Sequence, residues 1–256
     1  MTKGPLYIQN TNLSCAWMEA FLEIMKPGVK EILPLVVTVT DLANGQPTET
    51  KAIRQALDDA LVKNSKFSCD TVANTIFPLS LWDPEKEGTQ LFDRYRTLLP
   101  WLKKVESNNK YGLYFERLIA FGPEKEKVNQ LEHIIRTYKG GNHRRSALQA
   151  SVFDPSIDHT HQRRRGFPCM QQVAFAPHGN YELSVTGFYA TQHLFERAYG
   201  NYLGLCNLGH FIAHELGLQL TQMTCVANVA KLGDVNKRDI QSLLDSLEYI
   251  KSSTQK

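Results

Sequence analysis

The segment at positions 203–218, LGLCNLGHFIAHELGL, limits most strongly how this chain folds. Its apolar residues do not keep to one stripe of a helix; they run round most of its circumference, which predicts a helix covered on most sides. Nowhere does the chain carry a run of about 18 apolar residues, so no transmembrane helix is expected. The buried helix therefore implies a layered core with partners on more than one face. The next stretch, 219–231, alternates between polar and apolar residues as a strand does.

The other elements supply those partners. Positions 13–25 place Leu13, Ala16, Trp17, Ala20, Phe21 and Ile24 at helical spacing, with Asn12 or Thr11 as cap and Lys26-Pro27-Gly28 as stop. Positions 32–40 are rich in β-branched residues and predict a buried strand, followed by a turn at Asn44-Gly45-Gln46-Pro47. A second amphipathic helix spans 51–62. Positions 67–84 read as irregular, a short strand plus loop. Positions 91–105 predict a helix that bends or splits at Pro100. A helix over 128–138 stops at Lys139-Gly140-Gly141. Strands follow at 147–153, 170–176 and 181–191, the last two joined by a turn at His178-Gly179-Asn180. A final helix spans 236–250, and 251–256 form a frayed polar tail.

Helices and hairpin-linked strands interleave without a βαβ rhythm. The expectation is one α/β (α+β) domain, 1–256, in which a mixed sheet is layered with helices, and not a Rossmann sheet. Neither GxGxxG nor GxxxxGK[ST] occurs. The net charge of +3 is too small to argue for a nucleic-acid polymer as partner. Five scattered cysteines without a CxxC pair, and no basic-then-apolar leader, predict a reduced, cytoplasmic protein.

Chemistry can sit at a few places. Cys169, at the start of a strand after Gly166-Phe167-Pro168, is either a nucleophile or a small buried residue. A nucleophilic thiolate needs positive charge nearby, which Arg163, Arg164 and Arg165, or Arg144 and Arg145, can supply. Either cluster can equally be a solvated loop. Asn201 can bind a ligand through its amide, or cap the apolar helix. Tyr114 is a proton-transfer candidate or a buried aromatic. His210 and His214 share a helix face, and His159 and His161 a loop. Neither pair has the spacing of a known site, and no metal is expected.

Taken in order, several of these segments resemble the thymidylate synthase superfamily. Asn129-Gln130-Leu131-Glu132 is similar to its Asp-Gln-Leu-Glu helix, and His143-Arg144-Arg145 to its Ser-Arg-Arg. Asp154-Pro155 is similar to its Asn-Pro, and Phe167-Pro168-Cys169 to its Pro-Pro-Cys. Asn201, His210, Ile212, Ala213, Gly217 and Leu218 keep the spacing of its asparagine helix. The likeness is clearest over 128–218 and thin before 110, where Tyr114 looks like its Tyr-Gly motif.

The resemblance implies a transferase that moves a one-carbon unit, methyl or hydroxymethyl, from 5,10-methylenetetrahydrofolate to C5 of a pyrimidine nucleotide. Cys169 would add to C6 and Tyr114 would assist proton removal. Asn201 would read the base, with a lean towards uracil. Arg144 and Arg145 would reach the nucleotide phosphate of a partner subunit in a homodimer. Arg165 would take over a phosphate contact, because Ala190 stands where the family has an arginine. His193 stands where the family has a folate-contacting aspartate, and Lys231 and Gly233 where it has a histidine and a tyrosine that hold the sugar hydroxyl. Met170 replaces a histidine, and Glu116 is only a positional match for the catalytic glutamate. These departures imply an alternative: a nucleotide-binding or interaction protein that has lost catalysis on the same scaffold.

Overall fold

A computed structural model describes residues 1–42, 44–106, 109, 112–123, 125–159, 161 and 168–254. Its strands are β1 (Thr2–Lys3), β2 (Leu6–Asn10), β3 (Glu31–Ile32) and β4 (Leu35–Thr40), then β5 (Gln149–Ser151), β6 (Met170–His178), β7 (Glu182–His193) and β8 (Gln219–Lys231). Its helices are α1 (Leu13–Met25), α2 (Lys51–Lys63), α3 (Cys69–Ile76), α4 (Gly88–Val105) and α5 (Tyr114–Ile119). They continue with α6 (Gln130–Lys139), α7 (Pro155–Asp158), α8 (Tyr199–Leu216) and α9 (Gln241–Thr254). None of the described helices is long and apolar enough to cross a membrane.

The strands form one mixed sheet. β2 runs parallel to β4, and β4 antiparallel to β8. β8 runs parallel to β7, which continues antiparallel to β6 and then β5. This is the mixed α/β layering expected from the lack of a βαβ rhythm.

Register divides the sheet into two unlike faces. The row Val37–Cys225–Gly187–Val173 crosses four strands. Its Val37, Cys225 and Val173 are buried under the helices. Gly187 stands in that row because a Cβ there would lie 2.7 Å from Leu205 of α8. The neighbouring row, Thr38–Thr224–Thr186–Ala174, points to the other face and is half-buried, with Thr38 and Thr224 hydrogen-bonded at 3.1 Å. This alternation is what a period of two imposes once one face is covered.

α8 is buried along nearly its whole length. One side lies on β7 and β8; another takes α3 at very short range. A Cβ at Gly200 would lie 2.6 Å from the Cys69 carbonyl oxygen, and one at Gly204 would lie 2.8 Å from that of Ala73. Two glycines one turn apart thus let a second backbone touch α8.

Here the structure corrects the expectation for 67–84, which contains a helix and not a short strand. Ser68 caps α3 by accepting from the Thr71 amide at 3.2 Å, and Cys69, Val72, Ala73 and Ile76 form its buried face. The β-branched Thr71, Val72, Thr75 and Ile76 favour a strand by propensity, but packing on the α8 glycines outweighs that preference.

Other boundaries shift for identifiable reasons. Strand 32–40 is interrupted because Pro34 has no N–H for the ladder. α4 runs unbroken through Pro100, which occupies an exposed position. Residues 251–254 continue α9 instead of fraying, and the Ser252 and Ser253 hydroxyls donate to the Tyr249 carbonyl. The buried helix begins earlier than expected, at Tyr199, so Asn201 lies inside it and is not its cap.

Candidate functional site

The segment leading into β6 is held by its own neighbours. The Ala190 amide donates to the Cys169 carbonyl at 2.9 Å. The Gln171 side chain donates to the Pro168 carbonyl at 2.6 Å and to that of Cys169 at 3.3 Å. This fixes the Cys169 backbone and turns its half-buried thiol towards a cavity of about 320 Å³. A volume of that size suits a small-molecule ligand.

The walls come from distant parts of the chain. Val72 and Thr75 arrive on α3, and Tyr114 opens α5. His193 ends β7, Asn201 lies in the first turn of α8, and Asp234 follows β8. Between β7 and α8 the chain makes one π turn, Leu194–Ala198, which puts Glu196 and Arg197 at the rim. The Trp17 indole donates to the Leu194 carbonyl at 2.8 Å, and the Phe195 amide donates to the Leu232 carbonyl at 3.0 Å. The core of α1 therefore sets the position of this turn.

The electrostatics follow from these contacts. Burial raises the Cys169 thiol above its ordinary pKa, and Arg197 opposes the rise. Arg197, and not Arg144 or Arg145, is thus the cation acting on the thiol among the described residues; Arg163, Arg164 and Arg165 lie outside them. Burial, reinforced by the Cys169 sulfur, raises the Tyr114 phenol, and the backbone at Met170 and Cys169 and the charge of Arg197 only partly oppose the rise. At neutral pH that phenol is protonated and can donate to a ligand.

Burial would also raise the Glu196 carboxyl, but hydrogen bonds from His193 and Lys66 outweigh it and hold the group at about 2. The contacts are 2.8 Å to His193 Nδ1 and 2.7 Å to Lys66 Nζ. An ionised carboxylate only accepts, so His193 Nδ1 carries a proton and donates to Glu196. Asn201 is only 4% exposed and lines the cavity, and no side-chain hydrogen bond ties its amide to the described residues, so its polar atoms open on the cavity. An amide open on a cavity wall is suited to a polar ligand edge.

One relative carries a telling name. A Methanocaldococcus jannaschii protein named "Putative thymidylate synthase" is 30% identical over 177 residues, which cover 65% of this chain and 77% of the relative. The chain belongs to the thymidylate synthase family. No family model matches it.

On this thymidylate synthase-like scaffold the structure gathers Cys169, Tyr114, His193 and Asn201 on one cavity. It leaves three expected site residues elsewhere. Arg144 and Arg145 are exposed at the turn before β5, where Arg145 donates to the Pro177 carbonyl at 2.6 Å. Lys231 ends β8 outside the cavity lining, 3.8 Å from Glu31. Arg165 lies outside the described residues. Glu116 is buried beside its own helix start, 2.6 Å from Lys103 and 3.3 Å from the Leu113 amide. His210 and His214 flank the Trp82 ring at 5.3 and 5.4 Å and do not line the cavity.

Sequence reasoning missed Arg197, Glu196, Lys66 and Asp234. Lys66 gave no signal, because its partner is far along the chain. Glu196-Arg197 did give one: a charged pair directly ahead of a helix that is apolar all round.

Proposed function

We propose that the cavity binds a pyrimidine nucleotide and that Cys169 adds to C6 of its ring, for transfer of a one-carbon unit to C5. The observation that carries this reading is the Asn201 amide, open on the same cavity as the Cys169 thiol. An amide donates and accepts at once, which matches the N3–H and O4 edge of a uracil-type base. A reduced folate would lie against the remaining walls. Val72 and Leu113 offer apolar surface, while His193 and Asp234 offer polar contacts at one edge.

When bound, that cofactor supplies the one-carbon unit, as methyl or hydroxymethyl. The chain's own residues do the rest. Attack by the Cys169 thiolate forms the S–C6 bond and moves the C5=C6 electron pair towards C5 and O4. Asn201 donates to O4 as charge gathers there. After C5 has taken up the carbon, its proton leaves, and expulsion of the Cys169 thiolate restores the double bond. Tyr114, beside Cys169 on the same cavity, orders the proton path next to the sulfur. His193, hydrogen-bonded to Glu196, is a second group on the same cavity that can handle a proton. In a homodimer, Arg144 and Arg145 extend to the partner's nucleotide. The half-buried sheet face, with Val36, Phe188 and Val226, is the surface a second copy would cover.

Mass spectrometry after incubation with a 5-fluoropyrimidine nucleotide and methylenetetrahydrofolate tests the reading. A covalent adduct on Cys169 is expected; no adduct with any pyrimidine nucleotide would sink it. The second reading, a nucleotide-binding protein without catalysis, is favoured by one observation: Glu116 is engaged with Lys103 and its own helix start. It predicts nucleotide binding that is unchanged in Cys169→Ser and never followed by turnover.

A further inference from the structure

The cations near the cavity are not equivalent. Lys66 is engaged with Glu196 at 2.7 Å and Lys103 with Glu116 at 2.6 Å. Arg117 is paired with Asp158 at 2.5 Å. Arg197 differs. It lines the cavity, and among the described residues no carboxylate lies within ion-pair distance of it; neither Glu196 nor Asp234 is its partner. Its guanidinium carbon lies 5.7 Å from the Phe67 ring centroid. Contact with an aromatic ring orients a guanidinium and leaves N–H donors free for an anion. Electrostatically it is felt at both the Cys169 sulfur and the Tyr114 oxygen, so its charge is directed at the reactive part of the cavity.

We propose that Arg197 is the anion-binding residue of this cavity, holding a phosphate or carboxylate of a ligand whose ring lies against Cys169. Three features support it together. The positive charge is uncompensated, the side chain is oriented on an aromatic ring, and the carboxylate beside it, Glu196, is already neutralised by Lys66 and His193. The cavity therefore selects ligands by charge as well as by the base edge that Asn201 reads. The nucleotide source of the anion rests on the function proposed above; the anion site itself does not.

Two measurements test this. The first is the rate at which iodoacetamide alkylates Cys169, with Cys169→Ser as blank. In the unmodified protein, inorganic phosphate slows the reaction relative to chloride at equal ionic strength, because an occupied Arg197 no longer favours the thiolate. Arg197→Ala reacts slowly from the start and ignores phosphate, while Arg197→Lys keeps part of the effect. Equal rates in protein and variant, with no response to phosphate, would overturn the proposal.

The second measurement names the source. Arg197→Ala loses roughly 10- to 100-fold in affinity for a pyrimidine nucleoside monophosphate but not for the nucleoside, if the anion is the phosphate. It shows the same selective loss for a pteroylglutamate against the pteroate, if the anion is the cofactor's carboxylate. Equal losses within both pairs overturn the assignment. If none of these ligands binds the unmodified protein, the pyrimidine function falls, and the alkylation experiment still decides for or against Arg197 as an anion site.

Discussion

Cys69 and Cys169 each lie near an arginine, yet the two environments have opposite characters. The arginine near Cys69 is Arg54, which is engaged by Asp58 at 2.7 Å, Asp70 at 2.9 Å and Glu49 at 3.0 Å. Burial pushes the Cys69 thiol well up, and Asp58 pushes it further than Arg54 can offset. Cys169 is also raised by burial, but the charge it meets is Arg197, and no carboxylate contributes to the rise. A cation surrounded by carboxylates organises the fold. A cation left without them acts on the thiol and on whatever enters the cavity.

The sharpest way to break this comparison is to exchange the cysteines' fates. Cys169→Ser should abolish the 5-fluoropyrimidine adduct completely, whereas Cys69→Ala should retain it, as read by intact-protein mass spectrometry. An adduct that survives Cys169→Ser would show that the reactive sulfur has been misassigned. The arginines should separate by stability. Arg54→Ala leaves three part-exposed carboxylates facing one another and should cost about 1 to 2 kcal/mol in urea unfolding. The exposed Arg197→Ala should cost under about 0.5 kcal/mol.

Glu196 offers a pH test of the cavity rim. Its carboxyl is held at about 2 against an ordinary 4.5. A depressed folded-state pKa stabilises above the unfolded value, and that stability is lost as pH falls through the folded value. The protein should therefore lose about 2 to 3 kcal/mol between pH 4.5 and 2 on this account. Glu196→Gln should flatten this part of the stability profile; an unchanged slope would mean that His193 and Lys66 do not hold the carboxylate. Gly200→Ala forces a methyl against the α3 backbone and should cost about 1 to 3 kcal/mol by thermal unfolding.

How much was legible before the structure depended on how local each signal was. α1 was readable to the residue, because helical spacing and the Asn12 cap, which accepts from the Cys15 amide at 3.1 Å, lie within one segment. β8 was equally clear from its alternation. α3 was not, because four of its eight residues are β-branched and its reason for being helical is the glycine pair of α8, far along the chain. In the site, Cys169, Tyr114, His193 and Asn201 were named from the sequence and share a cavity. The Lys66–Glu196–His193 chain was invisible, since Lys66 is distant from the other two and a lone lysine in a loop has no periodicity to betray it.

The sequence by itself determined the layered α/β class, because a helix apolar on all sides and strands alternating with a period of two demand a covered sheet. It also determined which cysteine precedes a strand in family-like order. Only the tertiary structure decided which positive charge meets that cysteine. Charge pairing is settled by distance in space, and among the described residues Lys66 and Lys103 are drawn to carboxylates from other segments, which leaves Arg197 to act on Cys169.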